Sequence, residues 1–254
     1  MLVANTKNLK IADLACGNGV WLTDLHDELS KRGISSVQYD GYDISDINFP
    51  STAFLPSSIT FTKLDLLTKD LPKEVLGAYD IVHIRALSNI IVNNDTKPVL
   101  SVIKAMLKPG GWLQWDEGAR DFVIEAPFSS DSNSTPTATA CQTINGIVRA
   151  GGVARGVSRE FKNELDRHVG ENGFGNVKVQ KFELRKQDYN GWTEDYLMVW
   201  EDLTAFFPSK TEQPDAPVTK EGWTELFGNA VKETERGVVL HYDGVHTVIG
   251  RKAL

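Results

Sequence analysis

The chain has 254 residues, of which 41% are hydrophobic and 24% charged, a balance that is typical of a globular protein and excludes a disordered or fibrous chain. Its 27 basic and 34 acidic side chains give a formal net charge of −7, so we expect no nucleic-acid partner. No apolar run is long enough to span a membrane, and residues 1–10 lack the apolar segment of a signal peptide. Two cysteines are too few for a disulfide framework. The sequence therefore predicts a cytoplasmic protein.

The first half of the chain alternates short apolar runs with helical patterns, which predicts a doubly wound α/β fold with a mostly parallel sheet. Apolar stripes predict a first helix that ends at Gly33 and a second over residues 99–107, capped by Asp95 or Thr96. We expect Pro109-Gly110-Gly111 to end the second helix. Strands are predicted at residues 9–14, 37–42, 59–64, 79–84 and 112–115.

The second half of the chain is less regular. Residues 129–139 are rich in serine, threonine and asparagine, which predicts an exposed loop, and Gly151-Gly152 predicts a flexible joint. Residues 177–184 predict a strand whose apolar alternation slips, as it does at a β-bulge. Helices are predicted at residues 161–170, 196–207 and 223–231, and a last strand at residues 244–251.

The most informative motif is residues 11–21, Ile-Ala-Asp-Leu-Ala-Cys-Gly-Asn-Gly-Val-Trp, in which a strand runs into a two-glycine turn and then into a helix. Glycine lets the backbone approach a ligand closely, and the exposed N–H groups of the helix favour a carboxylate or phosphate. A dinucleotide site would require a third glycine, in the pattern G-x-G-x-x-G, where this chain has Leu22. The turn alone leaves a cofactor site and a merely tight turn as open interpretations.

Polar residues follow the later strands, at the edge of the sheet where ligands bind in wound α/β folds. Asp43 ends the second strand about 25 residues after the turn, a position that suits a ribose diol. Asp65 ends the third strand beside apolar residues that suit an adenine ring. His83 and Arg85 share one face of the fourth strand, because side chains alternate along a strand. These strand ends are therefore predicted to converge on one adenosyl-sized hollow.

Four features follow one another along the chain: the glycine turn, the acids after the second and third strands, the string His83-Ile84-Arg85 and the segment 107–115. This order is found in class I S-adenosylmethionine-dependent methyltransferases, and the chain resembles that family. The string Leu113-Gln114-Trp115 is similar to a fungal secondary-metabolite and regulator-like branch. The resemblance implies a Rossmann-like, seven-stranded sheet with an antiparallel C-terminal hairpin strand. It also implies a cofactor-binding core at residues 1–117, a substrate lobe or lid at residues 118–235 and a final strand at residues 236–254.

By this resemblance the cofactor is S-adenosyl-L-methionine. Asp13 would orient the turn and the cofactor's amino group, and Asp43 would bind the ribose hydroxyls. Ile44 would pack on the adenine, and Asp65 with Leu66 would fix its far edge. The remaining implied contacts are the turn residues Ala15, Cys16, Gly17, Asn18 and Gly19, and Arg85 and Ala86 after the fourth strand, which with Leu87 would flank the transferred methyl group.

The chain departs from the family pattern in two places. Ala15 replaces the commoner first glycine of the turn, a change small enough to keep the turn. The family usually has a helical segment before the first strand that covers cofactor and substrate, whereas here only residues 1–10 precede it. Two explanations fit: the chain is a shortened product, or a second copy or partner subunit supplies the cover.

Methyl transfer is an in-line displacement, in which the protein mainly aligns the nucleophile with the S–CH3 bond. A nucleophile that must lose a proton benefits from a general base. His83, Glu117 and His168 are the candidates, and Arg85 is predicted to lie beside the reacting groups. The plainer interpretations are a hydrogen-bonded structural histidine for His83, an ion pair for Arg85 and a solvated carboxylate for Glu117.

Trp115 and Trp200 are candidates for the wall of an aromatic substrate site, and the plainer interpretation is that both belong to the core. No group of histidine, cysteine and acidic residues has the spacing of a metal site. Asp116 and Glu117 follow the fifth strand, which keeps metal-assisted transfer open, but we expect no metal.

The sequence thus predicts S-adenosylmethionine-dependent transfer of a methyl group to an oxygen or nitrogen of an apolar small molecule, such as a secondary metabolite. Three alternatives stay open. The chain could be a non-methylating relative, either a regulatory subunit or a rearrangement catalyst that keeps the cofactor fold. It could be an NAD-dependent oxidoreductase, which Leu22 disfavours, or an interaction module that binds neither cofactor.

Overall fold

The protein is represented by a computed structural model that describes residues 8–68, 70–119, 122–126, 137–157 and 159–254. The chain divides into two compact units. Unit 1 consists of Met1–Gly118, Ser158–Lys181 and His246–Leu254, and unit 2 of Ala119–Val157 and Phe182–Val245. The role that the sequence assigns to residues 118–235, a substrate lobe, stays a prediction.

The strands of the described residues are β1 (Leu9–Leu14), β2 (Val37–Asp43), β3 (Ile59–Lys63), β4 (Tyr79–Arg85), β5 (Leu107–Gly118), β6 (Phe122–Glu125), β7 (Phe174–Phe182), β8 (Val239–Tyr242) and β9 (Val245–Lys252). Seven of them form one sheet in the order β3-β2-β1-β4-β5-β9-β7. The ladders among β1 to β5 are parallel. Gly110 near the start of β5 donates its N–H to the carbonyl of Ala253 just after β9, so β9 runs antiparallel to β5. The predicted fold class is confirmed.

The helices of the described residues are α1 (Val20–Lys31), α2 (Lys97–Met106), α3 (Thr139–Ala154), α4 (Leu165–Glu171), α5 (Tyr189–Asp202) and α6 (Lys220–Glu235). In α2 the apolar stripe faces the core, and Val99 and Ile103 are buried. Thr96 is the N-cap residue of α2, but its side chain makes no capping hydrogen bond. The carboxylate of the preceding residue, Asp95, accepts the N–H of Lys97 at 3.0 Å. No helix in the described ranges is both long and apolar enough to cross a membrane.

Pro109-Gly110-Gly111 does not end α2, contrary to the prediction. The helix already ends at Met106, and Leu107 pairs with Tyr79 as the first residue of β5. The next pair is Ile81 with Trp112, so residues 108–111 bulge out of the ladder. Proline and glycine suit such a bulge, because proline lacks a ladder N–H and Gly110 adopts a φ of 76°.

Gly151-Gly152 is not a joint either, since both residues lie inside α3. Each glycine costs a helix about 1 kcal/mol relative to alanine. The buried face of α3, formed by Cys141 and Ile144, supplies the packing that offsets this cost. Most of the predicted loop at residues 129–139 lies outside the described residues. The sequence also did not predict β6, which pairs antiparallel with β8 in a small second sheet.

Apolar side chains fill the body of the large sheet. Leu14, Val82, Ile84 and Leu113 are fully buried, as expected where helices cover both faces of parallel strands. Unit 2 has its own core, built around Trp200 and Trp223. The glycine turn, Asp43 and the turn after β4 all lie at the carboxyl ends of parallel strands of unit 1.

Candidate active site

The turn after β1 is built from left-handed residues. Ala15, Gly17 and Gly19 have φ values of 55°, 54° and 73°, and Gly19 is the N-cap of α1. Asn18 closes the turn, because its side-chain oxygen accepts the N–H of Val20 at 3.2 Å. A Cβ placed on Gly17 would meet nothing within 4 Å, so this glycine borders open space. The turn therefore leaves room for a ligand to approach its backbone closely.

Gly19 serves a second purpose, which is packing against Phe61 of β3. A Cβ on Gly19 would overlap the Phe61 ring, and so would a Cβ on Gly41, which pairs with Phe61 across β2 and β3. Phe61 also contacts Phe49, with ring centroids 5.4 Å apart. Phe61 was not predicted from the sequence. The feature that identifies it is the pairing of a glycine with a large aromatic residue on the neighbouring strand. That pairing can be recognised only when the register of the two strands is known.

Asp43 lies directly beside the glycine turn. One carboxylate oxygen accepts the N–H of Gly17 at 2.9 Å, and the other accepts the N–H of Ser45 at 3.1 Å. The structure thus brings together the turn and the acid at the end of β2, which the sequence separates by 26 positions. Cys16 lies close to both Asp13 and Asp43. Burial, followed by the charges of these two carboxylates, raises the pKa of its thiol to about 12, so the thiol is neutral at physiological pH.

The residues proposed for adenine follow β2 and β3, whose ends are neighbours in the sheet. Ile44 is 65% exposed, Asp65 is exposed and Leu66 is buried. The carboxylate of Asp65 accepts the N–H of Leu67 at 2.8 Å and shapes the local turn. An exposed isoleucine beside a strand end leaves an apolar face uncovered, as packing against a flat ring requires.

His83 lies between two carboxylates at the centre of the sheet. Its Nδ1 is 2.7 Å from Asp13 of β1 and its Nε2 is 3.0 Å from Asp116 of β5. Trp21 of α1 stacks on the imidazole ring, with centroids 3.6 Å apart. The histidine is fully buried, and both ring nitrogens are engaged. Through these contacts His83 of β4 links β1, β5 and α1.

His83 and Asp116 stabilise each other's charged forms. Burial by itself would lower the pKa of His83, but the hydrogen bonds to Asp116 and Asp13 outweigh it and raise that pKa above its ordinary value. Burial would likewise raise the pKa of Asp116, but the hydrogen bond from His83 outweighs it and lowers that pKa. Both ring nitrogens of His83 are thus engaged by carboxylates, and neither is free to accept a proton from a substrate.

The turn after β4 is held by the end of β5. Arg85 is exposed, and Ala86 has a φ of 55° and donates its N–H to the carbonyl of Asp116 at 3.0 Å. Leu87 donates its N–H to the Glu117 carboxylate at 2.5 Å. Glu117 is 3% exposed, and burial raises its pKa. The structure therefore places Glu117 beneath the turn, where it acts on the backbone.

The remaining candidates have core or local contacts of their own. Trp115 is fully buried in the core of unit 1, where its ring centroid is 6.0 Å from that of Phe161. Trp200 is 3% exposed in unit 2, and its carbonyl accepts the indole N–H of Trp223. His168 of α4 lies 3.2 Å from the hydroxyl of Thr96. No cluster suited to a metal ion occurs in the parts of the chain that the structure describes.

Comparison with known proteins matches residues 12–113 to a methyltransferase domain. The chain is 37% identical over 112 residues to the methyltransferase grgD of a Penicillium species, an alignment that covers 43% of this chain and 38% of that protein. It is 30% identical over 121 residues to the N-methyltransferase verN of Clonostachys rogersoniana, covering 48% of this chain and 40% of that protein. These alignments span less than half the length of either relative.

Among solved structures, the fold is similar to phosphoethanolamine N-methyltransferase 2 of Haemonchus contortus in complex with phosphomonomethylethanolamine and S-adenosylhomocysteine. That match has a TM-score of 0.50 and 13% identity, and it covers 99% of this chain and 51% of the other. The glycine turn, Asp43 and Asp65 all lie within the matched residues 12–113. Residues 12–113 thus match a methyltransferase domain, and the fold of the chain is similar to that of a solved methyltransferase.

Proposed function

We propose that the chain transfers a methyl group from S-adenosylmethionine to a nitrogen or oxygen of an apolar small molecule. The observation that carries this proposal is the contact between Asp43 and Gly17, because it joins the glycine turn and the ribose-binding acid in one place. The open space at Gly17 and the exposed Ile44 fit an adenosyl ligand. When bound, the cofactor supplies an electrophilic methyl group on a sulfonium.

The residues of the site favour alignment over base catalysis. His83 is engaged on both ring nitrogens, and Glu117 is buried and accepts a backbone N–H. A neutral amine needs no base to attack a sulfonium methyl group, and alignment can remove about 7–11 kcal/mol of barrier. Two of the similar proteins are named as N-methyltransferases. We therefore favour nitrogen as the acceptor atom, and an acceptor-binding role for unit 2.

The competing function is a relative that binds the cofactor without methylating, with the site completed by a second copy or a partner subunit. The absence of a free base at the described strand ends is compatible with it. Incubation with S-adenosylmethionine and a panel of apolar amines separates the two, since only the enzyme forms S-adenosylhomocysteine.

Calorimetric titration with S-adenosylmethionine and S-adenosylhomocysteine tests the cofactor site. Asp43→Ala is expected to weaken binding by about 10-fold or more, equivalent to roughly 1.5–3 kcal/mol for lost charge-assisted hydrogen bonds. Asp46→Ala is the matched control, because Asp46 is a nearby exposed acid that pairs with Lys63. Equal affinity of a folded Asp43→Ala variant and the wild type would remove Asp43 from the site.

A further inference from the structure

Unit 1 contains a buried lysine that no motif predicted. Lys162 is 4% exposed and lies on the 3-10 helix Glu160–Glu164. Its charge acts on Glu117, which is 3% exposed at the end of β5. Lysine and glutamate are rarely buried without a partner, because an unpaired charge is strongly disfavoured away from water. The two buried groups carry opposite charges, and the charge of Lys162 lowers the pKa of Glu117 against the effect of burial.

The segment that carries Lys162 is fixed to the same region by independent contacts. Phe161 packs on Trp115, two residues before Glu117 in β5, with ring centroids 6.0 Å apart. The N–H of Phe161 is donated to the side-chain oxygen of Asn94 at 3.0 Å, and the amide of Asn94 donates to Glu160 at 2.7 Å. The 3-10 helix thus joins the loop after β4 to the end of β5.

Glu117 connects this segment to the turn itself. Its Oε1 accepts the N–H of Leu87, while the carbonyl of the preceding residue, Asp116, accepts the N–H of Ala86. Ala86 has a left-handed backbone, which an alanine adopts only when its surroundings hold it there. Two successive residues of β5 therefore hold two successive N–H groups of the turn.

Lys162 counteracts the effect of burial on the carboxyl group of Glu117. Burial favours the protonated carboxyl, and the ammonium group of Lys162 favours the carboxylate. A carboxylate accepts the N–H of Leu87 more strongly than a neutral carboxyl does. Loss of Lys162 would leave a buried charge without its partner, so Glu117 would take up a proton or move toward water, and the hydrogen bond to Leu87 would weaken.

We propose that Lys162 is a positioning residue which, through Glu117, fixes the turn Arg85–Leu87 in the conformation that cofactor binding requires. The inference rests on the proposed function, because it assigns this turn to the cofactor site. It places a residue from the second half of the chain in the machinery of a site whose motifs all lie in the first half.

The test compares Lys162→Met, Lys162→Arg and Glu117→Gln with Lys178→Met, which removes an exposed lysine of β7. Titration with S-adenosylhomocysteine is performed well below each variant's unfolding temperature, and amide hydrogen exchange is followed in residues 85–90. Lys162→Met is expected to weaken binding by about 10-fold, equivalent to one lost hydrogen bond, and to speed exchange in this segment. Lys162→Arg should restore both, whereas Glu117→Gln should speed exchange, because its neutral amide oxygen accepts the N–H of Leu87 less strongly than a carboxylate does.

A purely structural lysine gives a different result. In that case Lys162→Met lowers the unfolding temperature but leaves affinity and local exchange at their wild-type values, which overturns the proposal. If Lys162→Met does not fold, the Glu117→Gln and Lys162→Arg measurements decide, since rapid exchange at residues 85–90 in Lys162→Arg contradicts the proposed role. If the wild type does not bind S-adenosylhomocysteine, the proposed function fails, and exchange alone then shows whether Lys162 holds the turn.

Discussion

Two alanines at the carboxyl edge of the sheet have left-handed backbones. Ala15 follows β1 and Ala86 follows β4, each with a φ of 55°. This conformation costs an L-residue about 1–2 kcal/mol, because its Cβ approaches the following carbonyl oxygen. Strain of this kind persists where the surrounding contacts impose it, and here both residues border the predicted cofactor site.

Replacement of Ala15 by glycine is expected to raise the free energy of unfolding by about 0.5–1 kcal/mol, because the relief of strain exceeds the entropy lost by fixing a glycine. Urea denaturation measures the change. Ala150→Gly is the control, since Ala150 is an exposed residue inside α3, and this variant should lose about 1 kcal/mol. A destabilised Ala15→Gly variant would mean that the methyl group of Ala15 makes a contact worth more than the strain.

His83 gives a prediction about pH. Its pKa in the folded protein is raised above 6.5, so its contribution to stability is fully present below about pH 6.5 and is lost as the pH rises through the folded pKa. The pKa of Asp116 is lowered below 3.8, so its contribution is present above that value and is lost as the pH falls through the folded pKa. The difference in unfolding free energy between the wild type and His83→Gln should therefore be largest near pH 5–6.

The measurement is a series of urea denaturation curves for both proteins from pH 3 to pH 10. Breaking a buried ion pair by removing one partner costs about 3–5 kcal/mol, which sets the expected maximum of the difference. A difference that stays constant from pH 6 to pH 10 would show that the imidazolium charge contributes nothing and that the ring acts only through stacking on Trp21.

The positions of Asp43 and of the glycine turn were predictable from the sequence because each follows a strand directly, and their role in a cofactor site stays a prediction. The structure brings Asp43 and Gly17 into contact as the motif order implied. Phe61 and Lys162 were missed because neither belongs to a local pattern. Phe61 gains its role from the register between β2 and β3, and the segment of Lys162 gains its position from the packing of Phe161 on Trp115.

At the scale of elements, β2 and β3 have complementary side-chain sizes at one pair of register partners. Gly41 and Phe61 are register partners, and the aromatic ring occupies the space that a side chain on Gly41 would need. Gly41→Ala is expected to destabilise the protein by about 1–3 kcal/mol, because the new methyl group would overlap the ring and approach the sulfur of Cys16 at 3.0 Å. Urea denaturation of Gly41→Ala, Phe61→Leu and the double variant forms the test.

A double-mutant cycle separates this overlap from other effects. Phe61→Leu frees space, so the double variant should be more stable than the sum of the single changes predicts, with an interaction energy of about 1 kcal/mol or more. Gly77→Ala is a useful reference, because a Cβ there meets nothing within 4 Å and only the left-handed φ of 60° opposes it. Additive effects of the two substitutions would show that the ring moves aside at no cost.

Elements with strong periodicity were predicted well, and elements decided by tertiary contacts were not. The apolar stripe of α2 defines its buried face in the sequence as in the structure. By contrast, Gly151-Gly152 and Pro109-Gly110-Gly111 are local signals for a break, and both lie inside longer elements because packing and strand pairing outweigh the local preference. β6 is only four residues long and is defined by its pairing with β8, which no local pattern encodes.

At the scale of the whole molecule, the two units differ in what a cofactor would stabilise. The motifs that match the methyltransferase domain lie in unit 1, whereas unit 2 has a separate core. A ligand that binds only the folded state at 100 times its dissociation constant stabilises that state by about 2.7 kcal/mol. Binding to the strand ends of unit 1 should therefore slow amide exchange first in the turn 15–19 and around Asp43.

Hydrogen exchange with and without S-adenosylhomocysteine measures this distribution, and NADH serves as the control ligand. We expect slowing at residues 15–19, 43–45 and 65–67, and no change with NADH, because Leu22 stands where a dinucleotide fold needs glycine. Slower amide exchange at these residues with NADH, and not with S-adenosylhomocysteine, would indicate an oxidoreductase. Slowing confined to α5 and α6 would locate the ligand in unit 2 and contradict the assignment of the cofactor to the glycine turn, because those helices share no core with it.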